Sequence, residues 1–241
     1  MGGNIDELTR EEAVQALRWW VEAGVDVAVS EEPRDWLKKS APARKAVIVP
    51  DVAADIAPVS PQELPSDFSA FRAYLETATG LPLDRAGARR VLPHGLAGAK
   101  IMLLSDMPAR EDAGDGQPIG GEAWLLATKM LAAIGMTADD AYSASLACFH
   151  APGARLGEAE LAQCADIARR HVELVKPERL LLLGEGPARA LLGDKLTAVR
   201  SRIHKIAGVR TVATFHPRWL LQRPGDKVLA WRDLLLLMDE A

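Results

Sequence analysis

From residue 99 to the end, short apolar runs alternate with longer amphipathic stretches, and this alternation restricts the fold more than any other feature. The runs at 99–104, 142–146, 179–183 and 209–215 are too short for buried helices, and segments rich in Gly, Pro or Asp bound them. Between them, residues 122–134, 158–175 and 187–192 carry helical periodicity, and 227–238 adds a last helix. Strands that alternate with helices make a parallel sheet covered on both faces. The expected fold class is therefore α/β, a three-layer αβα arrangement around a four-stranded parallel sheet. In such sheets ligands collect at the C-terminal ends of the strands. Those ends lead here into 105–121, 145–155, 184–186 and 216–223, the segments where Gly, Pro and His gather.

The chain before this core reads differently. Thr9 and Glu12 form a capping box, and Val14, Leu17, Trp20 and Val21 recur at helical spacing up to Gly24. Residues 1–39 are expected to be an N-terminal helical extension. Residues 40–66 are rich in Ala, Pro and Ser, with Pro42, Pro50, Pro58, Pro61 and Pro65, and read as a tether. The main domain is expected over 67–241, opening with a helix at 67–77 that Gly80 ends.

Composition excludes several classes. Two cysteines, Cys148 and Cys164, rule out a disulfide scaffold and any all-cysteine four-ligand site within one chain. No apolar run is long enough to span a bilayer, and the acidic start lacks a signal core, so a cytoplasmic protein without membrane contact is expected. A net charge of −4 excludes a uniformly basic nucleic-acid binder. The charge is uneven, however: 195–232 holds nine Lys/Arg against Asp226 alone, which is +8 and leaves −12 on the remainder. Such a stretch is either a footprint for phosphates or a solvated rim.

Within the strand-end loops, His216 follows an apolar run directly and is held by Pro217; its ring suits it to donate to a developing anion or exchange a proton. Asp106 and Asp112 are placed to position or activate a water, or else serve turn chemistry. Trp219, beside Arg218, can stack on a base or wedge into a duplex; equally, it can pack on the last helix. The histidines show no metal-ligand spacing, and no metal site is expected.

These residues stand in a recognisable order. Residues 213–234 read Ala-Thr-Phe-His-Pro-Arg-Trp-Leu-Leu-Gln-Arg-Pro-Gly-Asp-Lys-Val-Leu-Ala-Trp-Arg-Asp-Leu around the His-Pro pair, ending in a Trp-x-Asp-Leu helix. Together with 130–136 and the Leu-Gly-Glu-Gly-Pro-Ala-Arg-Ala-Leu-Leu-Gly run at 183–193, they resemble the uracil-DNA glycosylase superfamily, and most closely its iron–sulfur branch, family 4. The resemblance covers about two-thirds of the chain. Trp19-Trp20 and Gly24-Val25-Asp26 also resemble an extension on some bacterial members. The resemblance implies a flipped base and hydrolysis of its N-glycosidic bond, as in DNA base-excision repair. A carboxylate handles the water, a His donates to the leaving base, an Asn reads the uracil edge, and an aromatic ring stacks beneath it.

Carried over residue by residue, the motifs are uneven. His216, Pro108 and Pro118 match. The Glu of the first motif is Asp106, and an acid of the following pair falls on Asp112. The stacking Phe falls on Ile119, which has no π face, and the uracil-reading Asn on Ser145. The position after His-Pro that carries Ser or Ala is Arg218, and the later Arg becomes Gln222, with Arg223 beside it. The cluster's first Cys pair falls near 78–81, where there is no cysteine, and the others on Cys148 or Phe149 and on Cys164; no iron–sulfur cluster is expected. Two readings stay open. One is a working glycosylase with Asp106, Asp112 and His216 catalytic, Pro108, Ile119 and Ser145 shaping the base pocket, Arg218, Trp219, Gln222 and Arg223 on DNA, and uracil activity weak or lost. The other is a catalytically silent module that binds DNA or a replication or repair protein.

Overall fold

The computed structural model describes residues 64–239. The expected helical extension and all but the end of the expected tether lie outside the described residues. The main domain opens with α1 (Phe68–Thr77), whose N-cap Asp67 accepts from the Ala70 N–H and which buries Phe71 and Leu75. There follow β1 (Arg89–Arg90), β2 (Ile101–Ser105), α2 (Arg110–Asp115), α3 (Gly121–Ala133), β3 (Ala141–Ser145) and β4 (Phe149–His150). The second half holds α4 (Glu158–Val175), β5 (Arg179–Leu183), α5 (Glu185–Leu192), α6 (Leu196–Val199), β6 (His204–Ile206), β7 (Val209–Thr214), α7 (Pro217–Gln222) and α8 (Lys227–Met238).

The main sheet has the order β3-β2-β5-β7-β6. β2 pairs in parallel with β3 and β5, and β5 with β7, with Leu103 level with both Ser143 and Leu181. These are the four expected strands. Side chains alternate between two cores, as the pleat requires. Met102, Leu104, Leu180 and Leu182 face the core shared with residues of α1, α4 and α5, while Ile101, Leu103, Leu181 and Leu183 face the one shared with residues of α3 and α8.

The sheet departs from expectation by one strand. β6 adds an antiparallel edge to β7, with Ile206 opposite Val209. The residues between them, Ala207 and Gly208, both have positive φ (48° and 81°), the backbone of a tight two-residue hairpin. Three residues with one buried side chain give no readable alternation, which is why this edge strand is silent in the sequence. Two further elements correct the loop assignments. α2 lies inside the segment expected to be a loop. His216-Pro217 does not merely end a strand: Pro217 is the first residue of α7, where its missing N–H costs nothing.

Candidate active site

The chain moves from β2 to β3 on one side, then returns through α4 to β5 on the other side of β2. The crevice between β2 and β5 is therefore the point where the strand order reverses, the place such sheets offer to ligands. A cleft of about 690 Å³ opens there. Asp106, Pro108, His150, His216, Arg218, Trp219 and Gln222 are among its lining residues, as are Gly184 and Glu185 of the turn after β5.

Asp106 leaves the C-terminal end of β2 and turns against the start of α5. Its Oδ1 accepts from the Met107 N–H at 2.9 Å, and the Gly186 N–H also bonds the carboxylate. A Cβ on Gly186 would lie 2.6 Å from Asp106 Cγ, so only glycine lets the helix start come this close. Burial raises the Asp106 pKa above the usual carboxylate value, and the two backbone N–H groups oppose that rise.

His216 comes from the end of β7 and caps α7. Its Nδ1 accepts from the Arg218 N–H at 3.1 Å, so the proton of the neutral ring sits on Nε2. Burial and then the Arg218 charge pull its pKa down to about 4, against the opposing pull of Asp112. At neutral pH the ring is thus an uncharged N–H donor. Gly184, at φ +100°, passes close enough that a Cβ would sit 3.5 Å from His216 Cβ. The start of α5 therefore bonds Asp106 through Gly186, while Gly184 passes beside His216.

The other expected residues divide. Asp112 does not line the cleft. It is 1% exposed, and its oxygens accept from the Ala109 N–H at 2.7 Å and the Gly120 N–H at 2.6 Å. Arg218 Nη2 donates to both of those oxygens, at 2.8 and 2.7 Å. The pair ties the loop after β2 to the helix that carries His216. Ile119 is buried in the core beneath α3 and α8, away from the cleft lining. Ser145, also buried, lies level with Ser105 at the ends of β3 and β2, with the two hydroxyls 3.3 Å apart. Pro108 and Gln222 line the cleft. Trp219 lies at its edge, stacked on Phe215 at 10° between ring planes, with Arg223 4.4 Å above its ring. Of the basic stretch, Arg200 is paired with buried Asp233 and Arg210 donates to the Leu236 carbonyl, so part of its charge serves the fold.

Sequence reasoning placed 145–155 and 184–186 among the strand-end loops but gave no role to His150, Gly184, Gly186 or Phe215. The Gly-x-Gly after β5 was the available signal, since glycines that close a strand often admit a neighbouring group.

Together the switch-point crevice, a carboxylate on a helix start and a neutral imidazole donor define the class: a mostly parallel αβα protein whose strand-end cleft brings an acid and an imidazole together. Residues 92–235, more than half of the chain, match the family model described as the uracil DNA glycosylase superfamily, and the chain belongs to that superfamily. It is similar to a type-4 uracil-DNA glycosylase of Archaeoglobus fulgidus, with 26% identity over 52% of this chain and 69% of that protein. Type-4 uracil-DNA glycosylases of Thermotoga maritima (24% identity, 64% of this chain, 83% of that protein) and Pyrobaculum aerophilum (25%, 64% and 85%) are similar as well.

The residues at the cluster positions of that branch do not fit a four-thiolate group. Leu81, Cys148, Phe149 and Cys164 pack together in one buried apolar core, with Ala78 against it. No cysteine stands near 78–81, so at most two of the four thiolates such a cluster needs are present, and burial pushes the Cys148 and Cys164 thiols up to about 11 and about 12. Among the described residues no three His, Cys, Asp or Glu side chains gather to hold a metal ion. No described helix is long and apolar enough to cross a membrane.

Proposed function

We propose that this chain is a DNA glycosylase that hydrolyses the N-glycosidic bond of a damaged base flipped out of DNA, that its uracil activity is weaker than the branch it resembles would imply, and that it works without an iron–sulfur cluster. The observation that carries the reading is the presence of Asp106 and neutral His216 in one cleft, the first held by the start of α5 and the second by the Arg218 N–H.

A base inside the stack cannot reach such a cleft, so it must rotate out first. As the C1′–N bond lengthens, the sugar gains oxocarbenium character and the electron pair moves onto the base. His216 Nε2–H donates to the oxygen that takes up this charge, and the donor is already oriented, so no reorganisation is needed. Ionised Asp106 faces the positive sugar and orients a water. The water oxygen forms the new bond to C1′, the C1′–N bond breaks with its electrons on the base, and the water's proton passes to Asp106. Arg218, Trp219 and Gln222 at the cleft, with Arg223 behind Trp219, would meet the DNA strand.

The silent-module reading is favoured by one observation: Ile119 and Ser145 are both turned into the interior, so neither an aromatic floor nor a side-chain amide stands where the resemblance puts them. Single-turnover base release decides between the two. With protein in excess over DNA containing uracil, hypoxanthine or xanthine, the native chain should release at least one base, and Asp106→Asn should lower the rate about a thousandfold. Bound DNA with no release from any substrate would leave the binding-module reading.

A further inference from the structure

We infer that His150 is the residue that reads the base, accepting the ring N–H of a lactam-type base while His216 donates to a carbonyl. The inference rests on the glycosylase reading for its substrate class but not for its geometry. Ser145 does not reach the cleft, so discrimination falls to the polar groups that do. His150 is anchored twice. Its backbone pairs with Arg89 in the small β1–β4 sheet, and its Nδ1 lies 2.9 Å from the Pro108 carbonyl oxygen. A carbonyl oxygen only accepts, so Nδ1 carries a proton; His150 lines the cleft, and a ring with that one proton has Nε2 as its acceptor. His216 is fixed in the opposite tautomer by the Arg218 N–H. The cleft thus presents one imidazole donor and one imidazole acceptor.

The commitment of Nδ1 gives this pair its selectivity. The Gln222 amide, also in the cleft, can flip and offer either a donor or an acceptor, so it does not choose. His150 cannot flip without leaving the Pro108 carbonyl unpaired. Uracil, hypoxanthine and xanthine present a protonated ring nitrogen beside a carbonyl. Cytosine and adenine present a lone pair at the corresponding ring nitrogen, which would face the Nε2 lone pair. The site therefore takes bases with a protonated ring nitrogen beside a carbonyl and turns away cytosine and adenine, through a residue other than the one the motif implies.

The test uses the full chain with imidazole nitrogens observed by NMR. It compares 1-methyluracil, which keeps the N3–H and blocks the nitrogen that carries the sugar, with 1,3-dimethyluracil, which lacks it. 1-Methyluracil should shift the His150 Nε2 resonance and bind about five- to tenfold tighter than the dimethyl compound, the worth of one neutral hydrogen bond. His150→Ala should erase that preference, His150→Gln should restore part of it, and Ser145→Ala should leave it unchanged. No shift at His150 up to the solubility limit, or a preference that survives His150→Ala in a folded protein, overturns the inference. The result stands apart from turnover. A chain that binds 1-methyluracil through His150 but releases no base refutes the glycosylase reading alone, whereas release without the His150 response refutes this one alone.

Discussion

His216 and Asp106 show how a buried site sets the charge of its own groups. Holding His216 at about 4 keeps its ring neutral across the physiological range, so the donor role needs no titration near 6.5. Asp106 is raised by burial, and it must be ionised to orient the water. Single-turnover rates should therefore climb with pH through a limb displaced above the ordinary carboxylate range, and Asp106→Asn should remove that limb; a limb that survives the substitution would contradict the assignment. The sign for stability follows separately. Between about 4 and 6.5 the unfolded chain binds a proton at this histidine that the folded one refuses, so melting temperature should fall as pH drops through that window. Gly186 offers a test of placement. Ala in a helix is ordinarily favourable, but here its Cβ would overlap the Asp106 carboxyl group. Gly186→Ala should slow base release about a hundredfold, with folding retained by circular dichroism.

At the scale of elements, the sequence and the structure diverge where the element is short. The strands β2, β5 and β7 and the helices α4 and α8 announce themselves through apolar runs and periodicity, because each buries a whole face or stripe. β6 and α7 do not. β6 exists because Ala207 and Gly208 turn the chain back onto β7, and α7 because His216 caps it and Pro217 starts it. The hairpin carries a measurable cost: Ala207 is exposed and sits at φ +48°, where L-residues other than Asn and Asp are disfavoured. Ala207→Asn should raise stability by about 0.5–1 kcal/mol in denaturant unfolding without altering base release.

The molecule as a whole is assembled around one reversal of strand order. Asp106 after β2, Gly184 and Gly186 after β5, and His216 after β7 come from three parts of the chain and meet only because β2, β5 and β7 are neighbours in parallel register. Asp112 and Arg218 then lock two of those parts together across 106 residues of sequence. The same packing fills the cluster positions: Cys148 and Cys164 belong to the continuous apolar core that includes Leu81, Phe149 and Val172. Protein purified without air should accordingly show no charge-transfer absorbance and no stoichiometric iron, and a brown, iron-bearing preparation would refute the cluster-free reading.

The α/β class, the parallel strands and the strand-end loops were determined by the sequence alone, because burial on two faces imposes a pattern that any reader of hydrophobicity can find. His216 and Asp106 were legible for the same reason, each standing at the end of such a strand. Tertiary structure decided the rest. Asp112 and Asp106 are both loop aspartates in the sequence, and only packing sends one under Arg218 and the other into the cleft. Ser145 and Ile119 sit at motif positions, yet the pleat and the helix above turn them inward. His150 looks unremarkable until the Pro108 carbonyl selects its tautomer. A side chain's direction, and the partner that fixes its proton, depend on residues far away in sequence, and only the folded chain brings those together.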